Sequence, residues 1–292
     1  MFGRATVRGA DFDDFSDIDD SDESESDEDE VAASGNALRP LGWYSTNSMR
    51  VLEDIIIANQ LTEASSSFDY DDGDGIFEPR ELGYQEWKNG ELLVLSFGPS
   101  PTSSYLYDLR VLPRSIGDLR SLEYLDVHGN SLRELPEQLT ALSRLVVLLA
   151  FDNQISFVPD GLGDLARLEK LHFGQNRITE LPLSIGSLES LEWLGLSNNP
   201  LRELPYTLTR LLSLGFLDVS QHATAVHPGP PYEGLLSLPA GLGSMPRLVE
   251  LHVRGTRFGC RGSGPGYLWD GSIERVLGSP ADACSASRVS GA

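Results

Sequence analysis

Apolar residues recur along this chain in a fixed register. From Leu112 to Glu203, four consecutive segments of 23 residues read LPRSIGDLRSLEYLDVHGNSLRE, LPEQLTALSRLVVLLAFDNQISF, VPDGLGDLARLEKLHFGQNRITE and LPLSIGSLESLEWLGLSNNPLRE. A period of this length signals stacked repeats. In the first unit the apolar positions are Leu122, Leu125, Val127, Leu132, Leu135, Leu139 and Leu142. Leu122 to His128 alternates, which predicts a half-buried strand, and Pro136 to Leu142 has the i, i+3 spacing of a short helical turn. One such unit cannot bury its apolar side alone. Stacked units cover one another and form a continuous core, in which each buried Leu contributes about 1.5–3 kcal/mol.

Asn130, Asn153, Asn176 and Asn199 occupy the same place in successive units. A buried amide is costly without partners, so each is expected to bond the backbone of its own turn and of the neighbouring coil, forming a structural ladder. Extending the register in both directions starts a first unit at Leu92, a fifth at Leu214 and a sixth at Leu248. The first carries an insertion of 7 residues near 101–109, and the fifth one of 11 near 223–236. Both insertions follow the turn position, so both are expected at one edge of the stack. Their tyrosines, Tyr105, Tyr107 and Tyr232, are candidate contacts, because loops on a rigid scaffold often carry function. The ladder Asn is replaced at His222 and Thr256.

The pattern LxxLxLxxNxL followed by LPxxIGxL resembles the leucine-rich repeat family over about Leu92 to Phe258. The 23-residue, LP-containing form resembles its intracellular branch of Ras-binding scaffold proteins and its bacterial members. The resemblance implies an α/β solenoid, a curved horseshoe with a parallel sheet on the concave face and short helices or turns on the convex side. It also implies a non-enzymatic, protein-binding role.

Strand alternation then sends three rows of side chains out of the sheet. The first is Val94, Tyr124, Val147, Lys170, Trp193, Phe216 and Glu250. The second is Ser96, Asp126, Leu149, His172, Gly195, Asp218 and His252. The third is Gly98, His128, Phe151, Gly174, Ser197, Ser220 and Arg254. A face meeting only water would be polar. Tyr124, Val147, Leu149, Phe151, Trp193 and Phe216 instead make it apolar, the mark of an interaction surface. With Lys170, His172 and Asp218 they are the candidate partner-binding residues. Lys170 is placed for a cation–π contact with Trp193, and Gly174 and Gly195 are expected to leave room for a partner side chain. His128, His172 and His252 stand two or more repeats apart, about 10 Å or more, too far to share a zinc ion.

Charge refines this picture. The net charge is −22, and Asp11 to Glu30 alone holds 13 acidic residues. Neither half has the basic stripe of a nucleic-acid binder. Residues 1–38 are expected to form a disordered acidic tail, with Phe12, Phe15 and Ile18 spaced as a short motif and Ser21, Ser24 and Ser26 set among acids. Residues 39–91 are expected to be an N-terminal cap. It contains a helix over Ser48 to Asn59 opened by a Ser cap, and a hairpin about Asn89-Gly90. This cap resembles that of bacterial leucine-rich repeat proteins. The repeats span 92–259. Residues 260–292 are expected to be a C-terminal cap and loose tail, with a short helix over 272–277 and Trp269 covering the last coil.

Residues 70–81 resemble an EF-hand loop, with Asp72, Asp74 and Glu81 at ligand positions, but Tyr70 stands where the first carboxylate belongs. An acidic turn is therefore preferred over a Ca²⁺ site, and no cofactor is expected. A Ca²⁺-responsive or host-directed role is the alternative function. No GxSxG, HExxH, GxxxxGK[ST] or GxGxxG motif is present, so no enzyme is expected. No apolar run reaches the length of a membrane span, no signal peptide is visible, and Cys260 and Cys284 are the only cysteines. These features predict a cytoplasmic protein.

Overall fold

The computed structural model describes residues 43–61, 79, 82–98, 107–221, 235–254, 256 and 275–277. The chain divides into residues 1–39 and residues 40–292, and every described residue lies in the second unit.

A hairpin opens the sheet. β1 (Tyr84–Lys88) pairs antiparallel with β2 (Glu91–Ser96). Asn89 and Gly90 both have positive φ, 52° and 80°, the primed-turn geometry that matches strand twist. From β2 onward all pairing is parallel: β3 (Tyr124–Asp126), β4 (Val147–Leu149), β5 (Lys170–His172), β6 (Trp193–Gly195), β7 (Phe216–Asp218), β8 (Glu250–His252) and β9 (Arg275–Leu277), in chain order. Strands β3 to β8 are only three residues long, shorter than the alternating stretch. Backbone bonding nevertheless continues on both sides, as in Glu123 N–H to Leu93 O and Gly129 N–H to Phe151 O.

The register follows the repeat. Val94 pairs with Tyr124, Val147 with Lys170, Trp193 with Phe216, and Phe216 with Glu250. Tyr124 lies 30 residues after Val94, and Glu250 lies 34 after Phe216. The chain therefore absorbs both insertions without a slip that would turn side chains to the wrong face.

Each regular unit returns through a 3₁₀ turn: Arg114–Asp118, Glu137–Ala141, Asp160–Asp164, Leu183–Ser187 and Tyr206–Arg210. A Pro precedes each one (Pro113, Pro136, Pro159, Pro182, Pro205) in extended conformation, where its fixed φ suits helix entry. Three residues per turn bring Ile116, Leu139, Leu162, Ile185 and Leu208 to the core, and all are fully buried. Adjacent turns approach closely. A Cβ on Gly163 would lie 2.2 Å from Ser184 O, and one on Gly186 would lie 2.3 Å from Thr207 O.

The Asn ladder is complete. Asn153 Oδ1 accepts from Leu132 N–H (3.0 Å), while its amide donates to Val127 O, Ala150 O and Phe151 O. Asn130, Asn176 and Asn199 repeat the scheme. Thr256 keeps part of it: its buried hydroxyl donates to Val253 O at 2.7 Å.

The cap helix α1 (Thr46–Asn59) buries Val51, Leu52 and Ile55 in the same core as the repeats. It begins earlier than expected, with Met49 N–H donating to Ser45 O. Ser48 is thus a buried residue within the helix rather than its cap. Asn59 ties its end to the first repeat, accepting from Arg110 N–H and Val111 N–H. Arg50 pairs with Asp118 at 2.6 Å. At the other end, residues 275–277 form strand β9 rather than helix, pairing Leu251 with Val276. The open edge of β8 offers backbone groups that a strand can pair and a helix cannot, and Val276 favours a strand. None of the described helices is long and apolar enough to cross a membrane.

Candidate functional site

The sheet face opposite the core presents the three rows that the repeat implies. Cross-strand pairing aligns Tyr124, Val147, Lys170, Trp193 and Phe216 in one row. Leu149, His172, Gly195 and Asp218 align in the next. Phe151 stands at the strand exit, beside His128 and His172. All nine candidate residues therefore share one face.

Their side chains are packed more tightly than an open patch. Leu149 and His172 are buried, and Tyr124, Val147, Phe151, Lys170, Trp193, Phe216 and Asp218 are half-buried. Six rings account for this. His128 stacks on Phe151 (centroids 4.3 Å apart, planes 12° apart), and Phe151 meets His172 at 4.4 Å. His172 meets Trp193 edge-on at 4.8 Å, Trp193 stacks on Phe216 (4.9 Å, 6°), and Phe216 meets His252 at 4.9 Å. The result is a continuous aromatic ribbon crossing from β3 to β8. Such pairs contribute about 0.5–1.5 kcal/mol each beyond their buried area.

The row-by-row reading misses this ribbon because it changes row. Steps of 23 residues, His128 to Phe151 and Trp193 to Phe216, stay within a row. Steps of 21, Phe151 to His172 and His172 to Trp193, move two residues back along the strand. Diagonal neighbours of this kind lie within reach of large side chains, so a ring-to-ring spacing of 21 is the signal that could have revealed them.

The glycines serve the ribbon. A Cβ on Gly195 would lie 2.4 Å from His172 Cδ2 and 2.5 Å from Trp193 Cη2, and one on Gly98 would lie 2.1 Å from His128 Cε1. The room expected for a partner side chain at Gly195 is thus filled by the protein's own rings. At Gly174 the neighbours are His172 Nε2 and Ser197 Oγ, each 3.0 Å from an added Cβ.

Burial keeps His172 and Tyr124 uncharged at the centre of the face. Burial, assisted by Lys170 and His128, pushes the His172 imidazole down to about 3, so it is neutral at physiological pH. Burial also lowers the Lys170 ammonium, whose Nζ sits 5.3 Å from the Trp193 ring centroid. The Tyr124 hydroxyl is pushed above its usual range by burial and then by the Asp126 carboxylate, so it keeps its proton.

Carboxylates hold the flanks. Asp126 Oδ1 accepts from His128 N–H and from His128 Nδ1 (2.7 Å), while its Oδ2 accepts from Ser96 Oγ. At the far end Glu250 Oε1 lies 2.9 Å from His252 Nε2. An Asp–His pair can serve catalysis, but Asp218 Oδ1 accepts from Ser220 N–H in the same way. The recurrence marks a turn-closing device. Among the described residues, no three His, Cys, Asp or Glu side chains gather as a metal would require.

Tyr107, expected on an edge loop, is buried. Its hydroxyl accepts from Gly83 N–H at 3.0 Å, and its ring packs edge-on against Phe97. It anchors the returning chain to the cap and is not a contact residue. Asp72, Asp74 and Glu81 of the EF-hand-like loop lie outside the described residues. So do Tyr105, Tyr232, Trp269, both cysteines and the acidic tail with Phe12, Phe15 and Ile18.

A family model described as a leucine-rich repeat region matches residues 105–176. No match was found among curated proteins. Among solved structures, the chain is similar to a leucine-rich repeat protein of Leptospira interrogans, at 25% identity and a TM-score of 0.42, covering 57% of this chain and 50% of that one. It is similar to the ectodomain of the receptor kinase GASSHO1/SCHENGEN3 of Arabidopsis thaliana, solved in complex with Casparian strip integrity factor 2 (29%, TM-score 0.44, 58% and 20% covered). It is also similar to an internalin of Listeria monocytogenes (17%, TM-score 0.43, 66% and 46% covered). The chain spans half or less of the length of each of these structures.

Proposed function

We propose that this leucine-rich repeat protein is a protein-binding module without chemistry of its own, gripping its partner through the sheet face around Tyr124, Phe151, Lys170, Trp193 and Phe216. The supporting observation is the aromatic ribbon. Six rings lie in series on one face, where a solvated surface would carry short polar side chains. The rings are braced against one another on a parallel sheet, so little side-chain freedom remains to be lost on binding. Tyr and Trp are the favoured anchors of protein interfaces. The Asp126–His128 pair is read as closing a turn.

The test is affinity capture with mass spectrometry from native lysate, comparing wild type with Trp193→Asp/Phe216→Asp after circular dichroism has established equal folding. Removing a central anchor costs about 2 kcal/mol or more, so a partner of this face disappears from the double variant. Identical partners with both proteins would move the function off this face.

A further inference from the structure

We propose that the partner segment is basic and aliphatic, with cationic side chains flanking a stripe of aliphatic ones. This rests on the reading that the ribbon is the binding face. The ribbon decides the first half of the chemistry. Trp193 has Phe216 stacked against it from β7 and the Lys170 ammonium over its ring from β5. His128 and Phe151 cover each other. Stacking runs from strand to strand, so these pairs turn ring edges, not faces, toward a partner. Edges offer hydrocarbon contact and suit aliphatic side chains. A partner cation finds no open face on Trp193, because Lys170 already occupies that place, and must seek carboxylates instead.

The rim supplies them. Glu123, Val146, Glu169 and Glu192 form a row along the strand starts, linked by backbone bonds: Val146 N–H to Glu123 O, Glu169 N–H to Val146 O and Glu192 N–H to Glu169 O. Glu169 and Glu192 are exposed immediately before β5 and β6, about 4.8 Å apart in backbone spacing. Among the described residues neither carboxylate has an ion-pair partner. Like charges side by side on a sheet repel, and a cation between them relieves that repulsion. The face and this rim together carry Glu123, Asp126, Glu169, Glu192, Asp218 and Glu250 against Lys170 and Arg254, a net charge of −4 with His neutral. The chain as a whole, at −22, has the same sign, and such a charge attracts basic segments and repels acidic ones.

The experiment titrates the full chain, by fluorescence anisotropy at low salt, into three labelled synthetic peptides: an amphipathic Lys/Leu peptide, its Glu/Leu counterpart and a Lys/Ser peptide of equal charge. The Lys/Leu peptide should bind at least about 10-fold more tightly than the other two. Glu169→Gln/Glu192→Gln should weaken it about 3- to 10-fold, the range for two rim ion pairs, and reduce its salt dependence. Trp193→Ala/Phe216→Ala should weaken it by about 10-fold or more. Equal binding of the Lys/Ser peptide, equal binding of the Glu/Leu peptide, indifference to the Gln substitutions, or no binding of the Lys/Leu peptide would each overturn the basic-aliphatic assignment. If the peptide that binds still depends on Trp193 and Phe216, the binding face stands and only its partner chemistry fails. Indifference to the Ala substitutions overturns both.

Discussion

Replacing Asn176 with Ala should lower the unfolding free energy by about 2–6 kcal/mol. Asn176 is buried, and its Oδ1 accepts from Ile155 N–H at 2.9 Å. Its amide donates to Ala150 O (2.8 Å), Phe173 O (3.1 Å) and Gly174 O (3.1 Å). The carbonyls keep other donors. Gly174 O retains Asp152 N–H, Phe173 O retains the Asn199 amide and Ala150 O retains the Asn153 amide. Ile155 N–H keeps none among the described residues, and orphaning a buried donor costs about 1–3 kcal/mol. The two amide hydrogens contribute about 0.5–1.5 kcal/mol each, which sets the range. Urea unfolding followed by circular dichroism reads the effect, and tryptophan fluorescence checks that the transition is a single one. A loss below about 1 kcal/mol would refute the argument. Asn176→Asp sharpens it. The new carboxylate would face the three carbonyls, so its folded pKa would rise above the unfolded value of about 3.9. Stability would then be lost as pH rises through the folded pKa and regained on acidification. An Asp variant as stable at neutral pH as at acid pH would contradict the ladder geometry.

Two further expectations concern the ribbon. Gly195→Ala places a methyl 2.4 Å from His172 Cδ2 and 2.5 Å from Trp193 Cη2, with only ring atoms in the way, so the chain folds but the rings shift. Near-ultraviolet circular dichroism should change, at a cost of about 1–3 kcal/mol, and an unchanged spectrum would show that the ribbon is not packed as described. His172, held near 3 when folded against about 6.5 unfolded, makes the unfolded state bind more protons between those values. Stability therefore falls as pH drops through 6.5, by about 2 kcal/mol between pH 7 and pH 5. His172→Gln should flatten that part of the stability profile, and an identical slope in the variant would count against a buried, neutral imidazole.

Much of the fold was legible because two periods constrain it. A 23-residue repeat and a two-residue side-chain alternation together specify which residues pair across strands, and each pairing from Val94↔Tyr124 to Asp218↔His252 follows. The insertions do not disturb this: the strands on either side of each keep their register. Asn130, Asn153, Asn176 and Asn199 were readable for a similar reason: a polar residue at an invariant buried position must find backbone partners. Tyr107 and β9 were not readable, because the repeat breaks at both places and only spatial neighbours decide between loop, anchor, helix and strand.

By itself, then, the sequence determined the stack, its register and the rows of side chains on the open face, all consequences of local spacing along the chain. Only the tertiary structure decided what those side chains do with one another. Whether Gly195 leaves a hole or seats the rings of His172 and Trp193 depends on rotamers chosen jointly by residues on neighbouring strands. Spacing cannot encode that choice, because close packing is a property of the volume the side chains share.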